Sequence, residues 1–281
     1  MNVFIFLRED SFMLPDQTRP DQTRPDQTRP DQTRPDQTRP DQTRPDQTRP
    51  DQCTVSVSRN FSFKYYDEAG NLIPNANPED IPGLTVEFAD ETSELEIHRP
   101  HAFQKTSIVV GKNCRVVILG NATVWVSLKI LTLNQNEVHI GRNFDVRSAD
   151  LVCKPEPGVN IRIGDDFLGS SQLLFRPSDG HTIYSLETKK PLNEPKSGIR
   201  VGNHVWFGQR VTCLKDAVVP DNCIVSFGSI VTRQVFPSNA VLGGVPAKVL
   251  KTGVNWSKLN TFRYRRKFAS EFLVGPESDM S

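Results

Sequence analysis

Between Val201 and Val231 an apolar or thiol-bearing residue returns every six positions, at Val201, Phe207, Cys213, Val219, Val225 and Val231. This spacing matches neither the alternation of a half-buried strand nor the roughly 3.6-residue period of a helix. It suits a triangular coil in which short strands make flat faces, the repeated stations stack inward, and small residues turn the corners. Gly202, Gly208, Leu214, Pro220, Ser226 and Thr232 follow the stations, and most of them are small or turn-compatible. Upstream the period is degenerate but persists in Val110-Gly111, Val116, Ile140-Gly141, Val146 and Ile163-Gly164. Breaks at residues 155–158 and 179–198 read as loops thrown out from the coil. A β-sandwich or a right-handed solenoid would also be strand-rich and glycine-punctuated, but neither carries a register of six.

The remaining chain divides by composition. Residues 1–14 hold the apolar run Val3 to Leu7, cut off by Arg8, Glu9 and Asp10, too short for a signal-peptide core or a membrane span. Residues 15–52 are a low-complexity arm, seven copies of PDQTR followed by Pro50, Asp51 and Gln52. With no aliphatic or aromatic residue and a proline in each unit, the arm is expected to stay extended and unpacked. Its cyclic order Thr-Arg-Pro-Asp-Gln can be encoded by one repeated five-base unit, ACCAG. Every frame would then give the same peptide, and gain or loss of a unit would switch the downstream domain on or off. Residues 53–106 read as short capping strands, 107–251 as the coil domain, and 252–281 as a tail with a short amphipathic helix over 256–272.

Composition limits the chemistry. The formal net charge is +1, so no global field marks a nucleic-acid partner. Cys53, Cys114, Cys153, Cys213 and Cys223 are odd in number and form no CxxC pair, which argues against a disulfide framework and a zinc site and fits a reducing cytoplasm. A β-helical carbonic anhydrase would need three histidines around zinc. Of His98, His101, His139, His181 and His204, only His181 and His204 lie in or beside the well-formed coils. No metal is expected.

The segment from Ile199 to Lys251, IRVGNHVWFGQRVTCLKDAVVPDNCIVSFGSIVTRQVFPSNAVLGGVPAKVLK, resembles the C-terminal coils of the hexapeptide-repeat acyltransferases. With the upstream DGHTIYSLE it is similar to their sugar O-acetyltransferase branch, in particular the capsular polysialic acid O-acetyltransferases. The resemblance implies an all-β, left-handed parallel β-helix with a short C-terminal helix. It also implies a homotrimer with sites between subunits, and acetyl-CoA as co-substrate with no permanently bound cofactor. His181 matches the family's catalytic histidine, and Trp206 its aromatic neighbour, able to cover a thioester and donate one hydrogen bond. Asp179, Tyr184 and Ser185 of the same motif are candidates for orienting the imidazole or lining the acceptor side. Gly208, Ser226, Phe227 and Gly228 match the edge that takes pantetheine. Thr232, Arg233, Lys248 and Lys251 match positions facing the nucleotide, where phosphates need cations. Phe227 and Val245 depart from the commoner family pattern of a small and a polar residue at these two places.

The expected function is O-acetylation of a capsular or surface polysaccharide, in the cytoplasm or at the inner face of the membrane. Transfer to a small sugar, serine or an amino-sugar nucleotide is the alternative within the same fold. A non-enzymatic polysaccharide-binding coil is the alternative outside it.

Overall fold

The computed structural model describes residues 61–98, 103–120 and 127–271. The repeat arm and Cys53 lie outside them. The described chain winds into three parallel faces. The first stacks Ser62–Tyr66, Glu94–His98, Arg115–Ile118, Glu137–Ile140, Ile161–Ile163, Ile199–Val201 and Val218–Val219. The second stacks Asp145–Val146, Leu168–Gly169, Trp206–Phe207, Ile224–Val225 and Ala240–Gly244, and closes on the antiparallel strand Ala247–Thr252. The third runs from Leu84–Phe88 through Thr106–Val110, Ser127–Leu131, Ser148–Val152, Leu173–Phe175 and Thr212–Cys213 to Ile230–Val231. This is the all-β parallel solenoid expected from the register of six.

The stations behave as the register requires. Phe207, Cys213, Val225 and Val231 are fully buried, and Val201 and Val219 nearly so. Residues one turn apart pair directly, Val201 with Val219 and Phe207 with Val225, so each station stacks on its copy in the next turn. Phe144, Phe167, Phe175 and Phe207 fill the axis, with ring centroids 5.1–6.3 Å apart along the chain of contacts. The strands of residues 61–98, read in sequence as a cap, are themselves rungs. Ser62–Tyr66 pairs in parallel with Glu94–His98, and Leu84–Phe88 with Thr106–Val110, because Leu84, Leu95 and Ile97 bury into the same core.

The corner between the first and second faces is built by a ladder of short polar side chains. Asp165 accepts from the Arg142 amide at 2.7 Å, Asn203 from the Asp165 amide at 2.8 Å, and Asp221 from the Asn203 amide at 2.7 Å. Each tie crosses one turn of the coil and satisfies a backbone donor that the sharp corner leaves without a strand partner. The next residue adopts a left-handed backbone, at Asn143, Asp166, His204 and Asn222. The preceding glycine is obligatory, since a methyl carbon at Gly202 would stand 2.2 Å from Asp221 Oδ1. The helix over the tail is shorter than the sequence suggests. Helix α1 spans Thr261–Phe268, started by Asn260, whose side chain accepts from the Arg263 amide.

Candidate active site

The chain leaves the coil after Phe175 on the third face and rejoins it at Ile199 on the first, so residues 176–198 emerge at the corner between these two faces. Their outer part is a hairpin, in which Tyr184 bridges Pro191 and the Leu192 amide donates to the Ile183 carbonyl at 2.7 Å. Ser185 Oγ accepts from the Thr188 amide at 3.1 Å and fixes the turn. Tyr184 is half exposed with the Lys189 ammonium 5.4 Å from its ring centroid. Ile183, Leu186 and Leu192 are 60–81% exposed, an unusual amount of aliphatic surface for one short hairpin.

His181 stands exposed at the base of this hairpin, and its carbonyl accepts from Asn193 Nδ2 at 2.9 Å. Asp179, a candidate partner for the imidazole, is engaged elsewhere. Its carboxylate takes the Lys215 ammonium and, at 2.8 Å, Asn193 Nδ2. The Lys215 hydrogen bond holds this carboxyl below its ordinary range, with Asn193 and Arg176 adding to the effect. Lys215 also donates to the Asn193 carbonyl, and the neighbouring Asp216 accepts from the amides of Lys196 and Ser197. Asp179 thus joins both ends of the hairpin to the next turn of the coil. The reason is local: Asn193 and Lys215 both bind its Oδ2.

Trp206 lies half-buried on the outer side of the second face, because the alternating strand turns Phe207 inward. That face is opposite the corner that carries His181, so within one chain the coil separates the two residues. Beside Trp206 the edge narrows. A methyl at Gly208 would meet the Phe227 amide at 2.7 Å, and the Gly228 amide donates to the Gln209 carbonyl at 2.9 Å. Gly208, Ser226, Phe227 and Gly228 therefore share one edge, with Phe227 61% exposed and Arg210 6.0 Å from its ring. Lys248 and Lys251 are exposed on the terminal antiparallel strand at the end of the same face. Thr232 and Arg233 instead follow the third face, at the corner of the His181 hairpin. The structure brings the candidate residues together as two groups on opposite sides of the coil.

A further aromatic cluster was not legible in sequence. Trp256 stacks on His204 at 4.2 Å with 8° between the planes, and its indole N–H donates to the His204 carbonyl at 2.8 Å. Its ring lies 6.2 Å from that of Trp206. His204 is clamped by Asp166 at 2.5 Å on Nδ1, with the Trp256 carbonyl 3.2 Å from Nε2. Lys258 pairs with the other Asp166 oxygen at 3.4 Å. His204 is thus a packing and tethering residue. Among the described residues no group of three or more His, Cys, Asp or Glu is placed to hold a metal ion.

Comparison with known proteins bears on this geometry. No protein-family model matches the chain. It is 30% identical over 129 residues to the polysialic acid O-acetyltransferase of Escherichia coli O1:K1, covering 46% of this chain and 41% of that protein. Over these residues the chain is similar to an O-acetyltransferase. It is also 30% identical over 127 residues to the galactoside O-acetyltransferase of Escherichia coli K12, covering 45% of this chain and 60% of that protein. The chain therefore spans less than two thirds of the length of either relative. The crystal structure of the polySia-specific acetyltransferase NeuO superposes with a TM-score of 0.52 at 20% identity, over 76% of this chain and 92% of that one, a likeness of fold.

Proposed function

We propose that the protein is an O-acetyltransferase that moves the acetyl group of acetyl-CoA onto a hydroxyl of an anionic capsular or surface polysaccharide. The observation that carries this reading is the division of one coil into a histidine corner and a tryptophan edge, in a chain similar to O-acetyltransferases. In the proposed reaction the His181 imidazole takes the proton of the acceptor hydroxyl as its oxygen attacks the thioester carbonyl carbon. The tetrahedral intermediate collapses, the carbon–sulfur bond breaks, and the CoA thiolate recovers the proton from the imidazolium. Trp206 covers the reacting thioester and offers its indole N–H as a donor, while the Gly208 and Ser226–Gly228 edge admits the pantetheine arm. Lys248 and Lys251 of the same copy, with Thr232 and Arg233 of the copy that supplies His181, face the nucleotide.

Because the coil stands between His181 and Trp206, the same reading requires His181 of one copy to meet Trp206 of another, in a closed homotrimer. The exposed aliphatic hairpin supplies a surface for that contact. A thioester donor of this kind fits a cytoplasmic reaction, at the inner face of the membrane where a polymer leaves the cell. Among the described residues no helix is long and apolar enough to cross a membrane. The repeat tract is proposed to switch expression by gain or loss of a five-base unit, an idea that mixed codons in the gene would end.

Similarity to a galactoside O-acetyltransferase supports a second reading, transfer to a small sugar. Competition between anionic polymers and simple sugars for acetyl transfer separates the two, with the ester located by NMR. Acetylation of the polymer at far lower acceptor concentration supports the first reading. Exclusive acetylation of the simple sugar overturns it.

A further inference from the structure

Helix α1 packs none of its residues into the core, although the segment leading to it is firmly held. Arg263, Arg265, Arg266 and Lys267 put four cations into eight residues with no acid among them. These charges exceed the formal net charge of +1 of the whole chain, so the rest of the chain is net negative while this helix is purely cationic. On a helix Arg263, Arg266 and Lys267 share one side, since neighbours at three and four positions align. Arg266 lies 5.7 Å from the Phe262 ring centroid and Lys267 5.2 Å from that of Phe268, contacts that hold the two cations close to the helix surface. Phe262 is 68% exposed and Tyr264 is 41% exposed, so aromatic faces stand beside the charges.

The tether gives this helix a place. Trp256 is fixed to His204 by stacking and by its indole N–H, with its ring 6.2 Å from Trp206, and Lys258 is held by Asp166. Thr261 follows Trp256 by five residues, so the first turn of α1 lies within about 18 Å of that ring by chain length alone. We infer that α1 is a docking surface for a polycarboxylate glycan, which it presents to the Trp206 edge. The inference rests on the proposed transfer to an anionic polymer. Guanidinium groups pair with carboxylates, exposed rings stack on sugar faces, and a polymer with one carboxylate per residue engages several cations at once. A short neutral acceptor has no such hold, so the surface would select for polymer.

The test uses the full chain and labelled polysialic acid. Its binding is followed in a His181→Ala background, and transfer to it in the otherwise native chain. Replacing Arg263, Arg265, Arg266 and Lys267 together by Gln is expected to weaken binding and raise KM for the polymer by about tenfold or more, with the loss in KM rather than kcat. Replacing only the three arginines by Lys should give binding between the native chain and the Gln variant, since charge is kept and the guanidinium fork is lost, and salt should weaken the native chain far more than the Gln variant. Unchanged affinity and KM in the Gln variant overturn the inference. So does a variant that keeps polymer binding but no longer sediments with phosphatidylserine vesicles, which would make α1 a membrane contact. Cation-dependent binding without acetylation supports the surface and counts against the proposed reaction.

Discussion

At Gly202 the coil tolerates no side chain, because the Asp221 carboxylate of the next turn crosses within 2.2 Å of where a methyl would sit. Gly202→Ala is expected to break the Asn203–Asp221 tie and destabilise the fold by about 1–3 kcal/mol, read as a lowered urea midpoint. An unchanged midpoint would mean that the corner ladder is ornamental. Buried thiols give a second expectation. Burial pushes the Cys153 thiol from 9.0 up to about 12, and Cys213 is raised for the same reason. The folded protein therefore keeps protons that the unfolded chain releases above pH 9.0, and stability should fall as pH rises from there toward 12. Alkylation of these two cysteines at pH 8 should wait for unfolding, and rapid labelling of native protein would contradict their placement. The stations were readable because burial repeats every six residues. The role of Gly202 was not, since its constraint comes from a residue 19 positions away in Asp221.

The hairpin of residues 176–198 is held at its base through Asp179, whose carboxylate serves Lys215 and Asn193. Asp179→Asn should loosen the hairpin without melting the coil. The expected result is faster proteolysis between Ile183 and Leu192 and reduced acetyl transfer, with the thermal midpoint shifted by less than about 3 °C. Lowered by these partners, Asp179 stays ionised below 3.8, so its contribution is full above that pH and is lost as pH falls through its lowered folded value. Because the carboxylate is partly exposed, this effect belongs to the hairpin rather than to global stability. The sequence marked this segment as a loop and singled out His181 in it. It could not assign Asp179, because Asn193 and Lys215 are brought to it by the return of the chain and the next turn of the coil. The tail was legible only in part: its cations were evident, whereas the stacking of Trp256 on His204 depends on a contact across 52 residues.

For the whole molecule, the position of each proposed catalytic group follows from the face on which its strand lies. His181→Ala is expected to lower kcat by about a hundredfold to ten-thousandfold while the coil and assembly persist, as judged by circular dichroism and sedimentation. Trp206→Ala should impair turnover with the assembly equally intact. These single changes establish that each residue matters, but not that they act across a subunit boundary. Subunit mixing does so. Inactive His181→Ala and Trp206→Ala chains, unfolded together, refolded in equal amounts and assayed for acetyl transfer, should recover activity. In randomly assembled trimers about a quarter of the interfaces pair an intact His181 with an intact Trp206, so about a quarter of native activity is expected. A mixture no more active than the two variants assayed separately would contradict a site shared between copies.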